Sequence, residues 1–114
     1  MIDECAFWGC DNLLTLTIPD EVYYVGMGAF EYCVSLTSVV VGSAVKTLDS
    51  YAFYGCESLR EVFYKGDAIA FSGITVGGNN EYFNEATTYF YSETTPETEG
   101  NFWYYDNGVV KKYE

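Results

Sequence analysis

The chain has 114 residues, of which 17 are acidic and five basic, giving a formal charge of −12 with no histidine. Its cations, Lys46, Arg60, Lys65, Lys111 and Lys112, do not gather into one patch. Nucleic acid and anionic membrane are therefore poor partners, because both require several phosphates to be neutralised together. An apolar content of 49%, with eight Phe, twelve Tyr and two Trp, argues for a packed core rather than disorder. No stretch approaches the roughly 18 uninterrupted apolar residues of a spanning helix, so membrane insertion is not expected.

Met1-Ile2-Asp3-Glu4-Cys5 has neither the basic flank nor the apolar run of a signal peptide, so an export signal would have to lie upstream. From there the chain repeats every 23 residues: Ala6-Phe7-Trp8-Gly9-Cys10 recurs as Ala29-Phe30-Glu31-Tyr32-Cys33 and as Ala52-Phe53-Tyr54-Gly55-Cys56. The phase holds through Leu13/Leu36/Leu59, Leu16/Val39/Val62 and Ile18/Val41/Tyr64. Such a period marks a stacked solenoid, in which a unit too small to bury its own apolar face leans on its neighbours. A binding or scaffolding surface is a better expectation for it than a catalytic pocket.

In the first unit Leu16-Thr17-Ile18 reads as a strand, Pro19-Asp20 as a turn and Val22 to Val25 as a second extended segment. The next unit repeats these parts. Leu36 to Val41 is rich in β-branched residues, with Val39 and Val41 on one face; Gly42-Ser43 turns the chain and Val45 to Leu48 extends again. Asp49-Ser50 then offers an N-cap for a brief helix through Ala52-Phe53. Stacking should set equivalent strands about 4.8 Å apart in a narrow parallel sheet, backed by a column of Phe7, Phe30 and Phe53.

Cys10, Cys33 and Cys56 share one repeat position, each three residues ahead of a Leu, where a small, weakly polar side chain packs. Cys5 stands apart, its equivalents being Gly28 and Tyr51. Intervals of 5, 23 and 23 contain no Cys-x-x-Cys knuckle, and with no His the expectation is a line of buried reduced thiols rather than a metal site or disulfide framework. No cofactor is expected.

The phase breaks after Gly66. Residues up to Asn80 fit no copy, yet Thr88-Tyr89-Phe90-Tyr91 reads as a last strand, 27 residues after Glu61-Val62-Phe63-Tyr64. Ser92 to Gly100 is an acidic, turn-rich loop. Asn101 to Tyr105 and Val109 to Tyr113 flank Asp106-Asn107-Gly108, a hairpin signal. That aromatic hairpin should cover the open edge of the core; a sugar-stacking platform is the second reading of its rings. The chain thus divides into repeats over 1–66, a degenerate repeat with the final strand over 67–92, and loop plus hairpin cap over 93–114.

Without His the usual Ser and Cys triads have no base. Glu57 with Glu61, or Glu81 with Glu85, could share a helical face and supply the carboxylate pair of a glycosidase. Such spacing is commonplace on solvated surfaces, and no cleft can be located beside either pair, so an enzyme is not expected.

The pattern Ala-Phe-x-x-Cys-x-x-Leu-x-x-Leu-x-Ile-Pro-x-x-Val-x-x-Val-Gly resembles the BspA-like leucine-rich repeats of bacterial surface proteins, almost throughout residues 6–66. Ala86 to Glu93, Pro96, Gly100 to Tyr105 and Gly108 resemble the segment that ends many such arrays. The resemblance implies an α/β-type leucine-rich-repeat solenoid, a right-handed stack of strand, short extended segment and short helix, closed here by the hairpin. It also implies an exported or cell-surface protein of a host-associated microbe, adhering to a host or bacterial surface protein; carbohydrate enters as a partner class only through the second reading of the C-terminal aromatics. Ligand identity does not carry over, because repeat surfaces vary among members. Only Pro19 keeps the Ile-Pro signature, and three clean repeats are close to the minimum for a stack, so the chain is expected to be the C-terminal part of a longer array.

Residues pointing outward from the strands are free of packing duty. Stacking would align Thr15, Ser38 and Glu61, then Thr17, Val40 and Phe63, with Lys65 beyond. This face, with Val40 and Phe63 exposed and Phe63 as anchor, is the expected protein contact; the alternative is a purely structural end segment of a larger adhesin, its ligand bound elsewhere.

Overall fold

The computed structural model describes residues 1–114. The β-branched segments form β1 (Thr15–Ile18), β3 (Ser38–Val41) and β5 (Glu61–Tyr64), and the short extended segments between them form β2 (Tyr24–Val25) and β4 (Thr47–Leu48). Strands β1, β3 and β5 pair in parallel, with Thr15 opposite Ser38 opposite Glu61 and Ile18 opposite Val41 opposite Tyr64. After β5 come α1 (Ala68–Ser72), β6 (Thr75–Val76), α2 (Glu81–Glu85), β7 (Thr87–Tyr91), β8 (Phe102–Asp106) and β9 (Val109–Lys112). The result is a six-stranded sheet ordered β1-β3-β5-β7-β8-β9 and a three-stranded sheet ordered β2-β4-β6. Between them lies a core of 17 buried residues, among them Ile18, Leu36, Val39, Val41, Val62 and Tyr64.

In the regular units the expected short helix is absent, and residues 50–55, where it should run through Ala52-Phe53, are consecutive turns. Alternate amides face different ways. Ala29, Glu31 and Cys33 donate to carbonyls three residues back, whereas Phe30 and Tyr32 donate to Ala52 and Tyr54 of the next unit at 2.8 and 2.7 Å. A helix would spend all these donors within its own turn. Two left-handed positions per unit also break it: Cys5, Gly28 and Tyr51 have φ of 57, 66 and 64°, and Gly9, Tyr32 and Gly55 have φ of 71, 60 and 74°. Local turn bonds and rungs between units thus replace the helix.

Phe7, Phe30 and Phe53 stack with centroids 5.2 and 5.4 Å apart, and Phe83 of α2 extends the column at 5.1 Å from Phe53. The irregular segment also continues the rungs. In the regular units an Ala carbonyl accepts the amide of the preceding unit's Phe; for Phe53 the acceptor is the Oδ1 of Asn80, at 2.8 Å. The Asn80 amide nitrogen donates to the carbonyls of Asp49 and Gly77, so this buried side chain is fully partnered, as a buried polar group must be.

Strand β7 pairs with β5 as Glu61 opposite Thr87, an offset of 87 − 61 = 26 residues rather than the expected 27. One residue of slip exchanges the faces of every side chain. Phe90 consequently lies opposite Tyr64 and packs on the main core, while Tyr89 lies opposite Phe63 on the other face.

All four thiols are free. Cys33 donates to the Phe7 carbonyl at 3.4 Å and Cys56 to the Phe30 carbonyl at 3.1 Å. Both are buried. Cys10, expected to be buried with them, is only partly so, and Cys5 is exposed. Burial pushes the Cys33 thiol up, and carries Cys56 from the ordinary 9.0 to about 12.

Candidate functional site

The outward face of the large sheet carries the residues expected to make contact. Thr15 and Thr17 on β1 are exposed, and Ser38, Glu61 and Lys65 are half-buried. Val40 and Phe63, expected to be exposed, retain only 7% and 5% of their accessible surface. The reason is the C-terminal hairpin. Strand β8 adds to β7 in parallel, with Tyr91 opposite Trp103, and β9 returns antiparallel through Asn107 and Gly108, whose φ of 51 and 80° suit a tight hairpin turn. Trp103 is completely buried and joins Val40 and Phe63 in a second, small core, with Tyr89, Tyr91 and Val110 packed against it.

Each contact in this second core has a definite geometry. Phe63 stacks on Tyr89 with centroids 5.1 Å apart and meets Trp103 edge-on at 5.7 Å. The Trp103 indole N–H donates to the Tyr64 carbonyl at 2.8 Å, which satisfies the one polar atom the ring brings inside. Trp103 is therefore unavailable as a sugar platform; Tyr105, in edge contact with it at 4.9 Å, keeps 36% exposure.

Charges rim the core. Lys112 of β9 meets Glu61 at 2.7 Å with its ammonium 5.5 Å from the Tyr89 ring, and the Glu61 hydrogen bond raises the lysine pKa. Lys65 lies 3.8 Å from Asp20 and 5.1 and 5.5 Å from the rings of Tyr91 and Tyr105. Beyond the hairpin tip, Thr17, Pro19, Asp20, Gly42 and Lys65 line a cleft of about 80 Å³. The open part of the face is thus its β1 side.

The carboxylate pairs do not form a site. Glu57 lies in a turn and Glu61 on β5, so they share no helix, and Glu61 is engaged by Lys112. Glu81 and Glu85 open and close the five-residue α2, both exposed, and neither lines a cleft.

A match to the BspA type leucine rich repeat region, in six copies, spans residues 1–92. The chain belongs to the BspA-type leucine-rich repeat family. No match was found among curated proteins or among solved structures. Leucine-rich repeat domains generally mediate protein binding and are generally non-catalytic, which makes this BspA-type chain a repeat module of the protein-interaction or surface kind. None of its helices is long and apolar enough to cross a membrane.

Sequence reasoning named seven residues of the face and missed Tyr89, Tyr91, Trp103 and Val110, which complete it. The Asp106-Asn107-Gly108 turn signalled the ribbon. The side on which the ribbon lies depends on the β5–β7 register, and a one-residue error there concealed it.

Proposed function

We propose that this BspA-type chain is a non-catalytic protein-binding module of an extracellular or cell-surface bacterial protein, acting in adhesion. Contact is made from the outward strand face, through Thr15, Thr17 and Ser38, with Glu61 and Lys65 at its margin and Val40 and Phe63 as its buried floor. One observation supports this reading above the others: the same face already seats a two-stranded β-ribbon, the chain's own β8–β9, on Val40 and Phe63. A surface that accommodates one ribbon there has the strand-aligned rows to take a partner's extended segment beside it. Host or bacterial surface proteins are the partner class that family membership favours.

A photo-crosslinking residue placed at position 17 or 38 should yield one defined adduct on cell-surface extracts, and the same residue at position 97 should not. Against the purified partner, Thr17→Arg should weaken binding by roughly tenfold or more, about 1.4 kcal/mol, with an unchanged melting temperature. Unaltered affinity in that folded variant would move recognition off this face.

A further inference from the structure

On the turn side, away from the strand face, the units present a ladder of exposed rings. Trp8, Tyr32 and Tyr51 keep 55%, 41% and 38% of their surface, and Tyr54 is half-buried beside them. Trp8 and Tyr32 meet edge-on at 5.9 Å, Tyr32 and Tyr54 at 5.6 Å, and Tyr54 and Tyr51 at 5.2 Å. The ladder spans three units. Trp8, Glu31 and Tyr54 are one repeat position, so a carboxylate takes the middle rung, where Glu31 accepts the Trp8 indole N–H at 3.2 Å. That bond uses one acceptor site of a group that has about four.

The hairpin shows what such a set of groups does in this protein. Lys112 is held between the Glu61 carboxylate and the Tyr89 ring, and Lys65 between Asp20 and the rings of Tyr91 and Tyr105. Each site joins a carboxylate to an aromatic face, the combination that binds a cation by charge and by ring quadrupole together. The ladder has the same donors of negative potential, Glu31 with Trp8, Tyr32 and Tyr54, and none of the chain's own cations over its rings. The formal charge of −12 favours approach of a basic partner and disfavours an acidic one.

We infer that the Trp8–Glu31–Tyr32–Tyr54 ladder is a docking strip for a Lys- or Arg-bearing protein segment. This inference rests on the reading of the chain as a protein-binding module and adds a second surface to it.

The test is binding of the full chain to a fluorescent hexa-arginine peptide, followed by anisotropy at physiological salt, with cellohexaose as a competing neutral glycan. Glu31→Gln and Trp8→Ala should each weaken peptide binding by roughly tenfold, while Glu97→Gln, which removes one charge from the distant acidic loop, should change it less than about twofold. Equal losses for Glu31→Gln and Glu97→Gln would mean diffuse attraction and overturn the strip. So would displacement of the peptide by cellohexaose, or no peptide binding by the parent chain. If the crosslinked partner still responds to Thr17→Arg but is indifferent to Glu31→Gln and Trp8→Ala, the strip fails while the module reading stands.

Discussion

Cys56 ties two units together: its thiol donates to the carbonyl of Phe30, and burial, followed by the nearby Cys33, pushes its pKa from the ordinary 9.0 to about 12. A folded pKa above the unfolded one means that the folded chain holds this proton more tightly. The stabilising contribution is therefore complete below about pH 9 and is lost as pH rises from 9 towards 12. Tyr24, Tyr32, Tyr64 and Tyr113, all raised, erode stability in the same direction, so the informative quantity is a difference. Melting curves should fall more steeply above pH 9 for the parent than for Cys56→Ala; parallel curves would show that the thiol titrates freely. At pH 7, losing the thiol should cost only about 1 kcal/mol.

A second residue-scale contrast lies at the left-handed turn positions. A Cβ at Gly9 would meet nothing within 4 Å, whereas at Gly55 it would fall 2.4 Å from the Tyr32 ring. Both glycines have positive φ. In urea unfolding, Gly9→Ala should cost the backbone penalty alone, roughly 1 to 2 kcal/mol, and Gly55→Ala roughly 2 to 4 kcal/mol because the ring must also move. Equal costs would show that the ring yields freely. The buried thiols of Cys33 and Cys56 and the stacking of the first three Phe could be read from spacing, because identical units repeat identical neighbours, whereas Cys10 in the first unit is only partly covered. Asn80 and Phe83 could not, since they restore a rung and a stacked ring across a segment whose length departs from the period.

At the level of elements, the hairpin is the part with most at stake. Trp103 has no exposed surface and covers Val40 and Phe63, so Trp103→Ala should destabilise the chain by about 3 to 5 kcal/mol. Deleting residues 101–114 would in addition free the outer edge of β7 and uncover the apolar floor, and should promote association. A truncated chain that stays monomeric with an unchanged melting temperature would contradict this role. Strand positions were readable because the pairs Leu16/Ile18, Val39/Val41 and Val62/Tyr64, two residues apart, place apolar side chains on one face of each strand. Helix and turn were not distinguished, because Asp49-Ser50 ahead of an apolar pair caps a helix and opens a tight turn equally well. The fate of the amides was decided instead by acceptors one unit away.

On the scale of the whole molecule, the backbone rungs of each repeat run to the units beside it, and stability should grade along the stack. In the middle unit Ala29, Phe30, Cys33, Leu36, Val39, Val41 and Leu48 have no exposed surface, whereas most of residues 1–14 are exposed. The amides of Cys5, Phe7 and Gly9 are bonded to Met27, Ala29 and Glu31 carbonyls, yet they should exchange with solvent deuterium roughly tenfold or more faster than those of Phe30 and Tyr32. Uniform protection would mean that the chain opens only as a unit. The stack itself was legible, since its period is written in the sequence six columns deep. The curl of the sheet's far end over its own face was not, because it arises from packing between segments that the period does not relate.

The two tryptophans occupy contrasting surroundings, Trp103 sealed among aromatic rings with no exposed surface and Trp8 55% exposed at the turn side. Their emission should accordingly fall at two wavelengths, blue for the sealed indole and red for the solvated one. Release of the hairpin would shift the blue component alone, and contact at the turn side would perturb the red one alone. The native chain thus carries two optical channels, one for each end of its own architecture, with no dye attached.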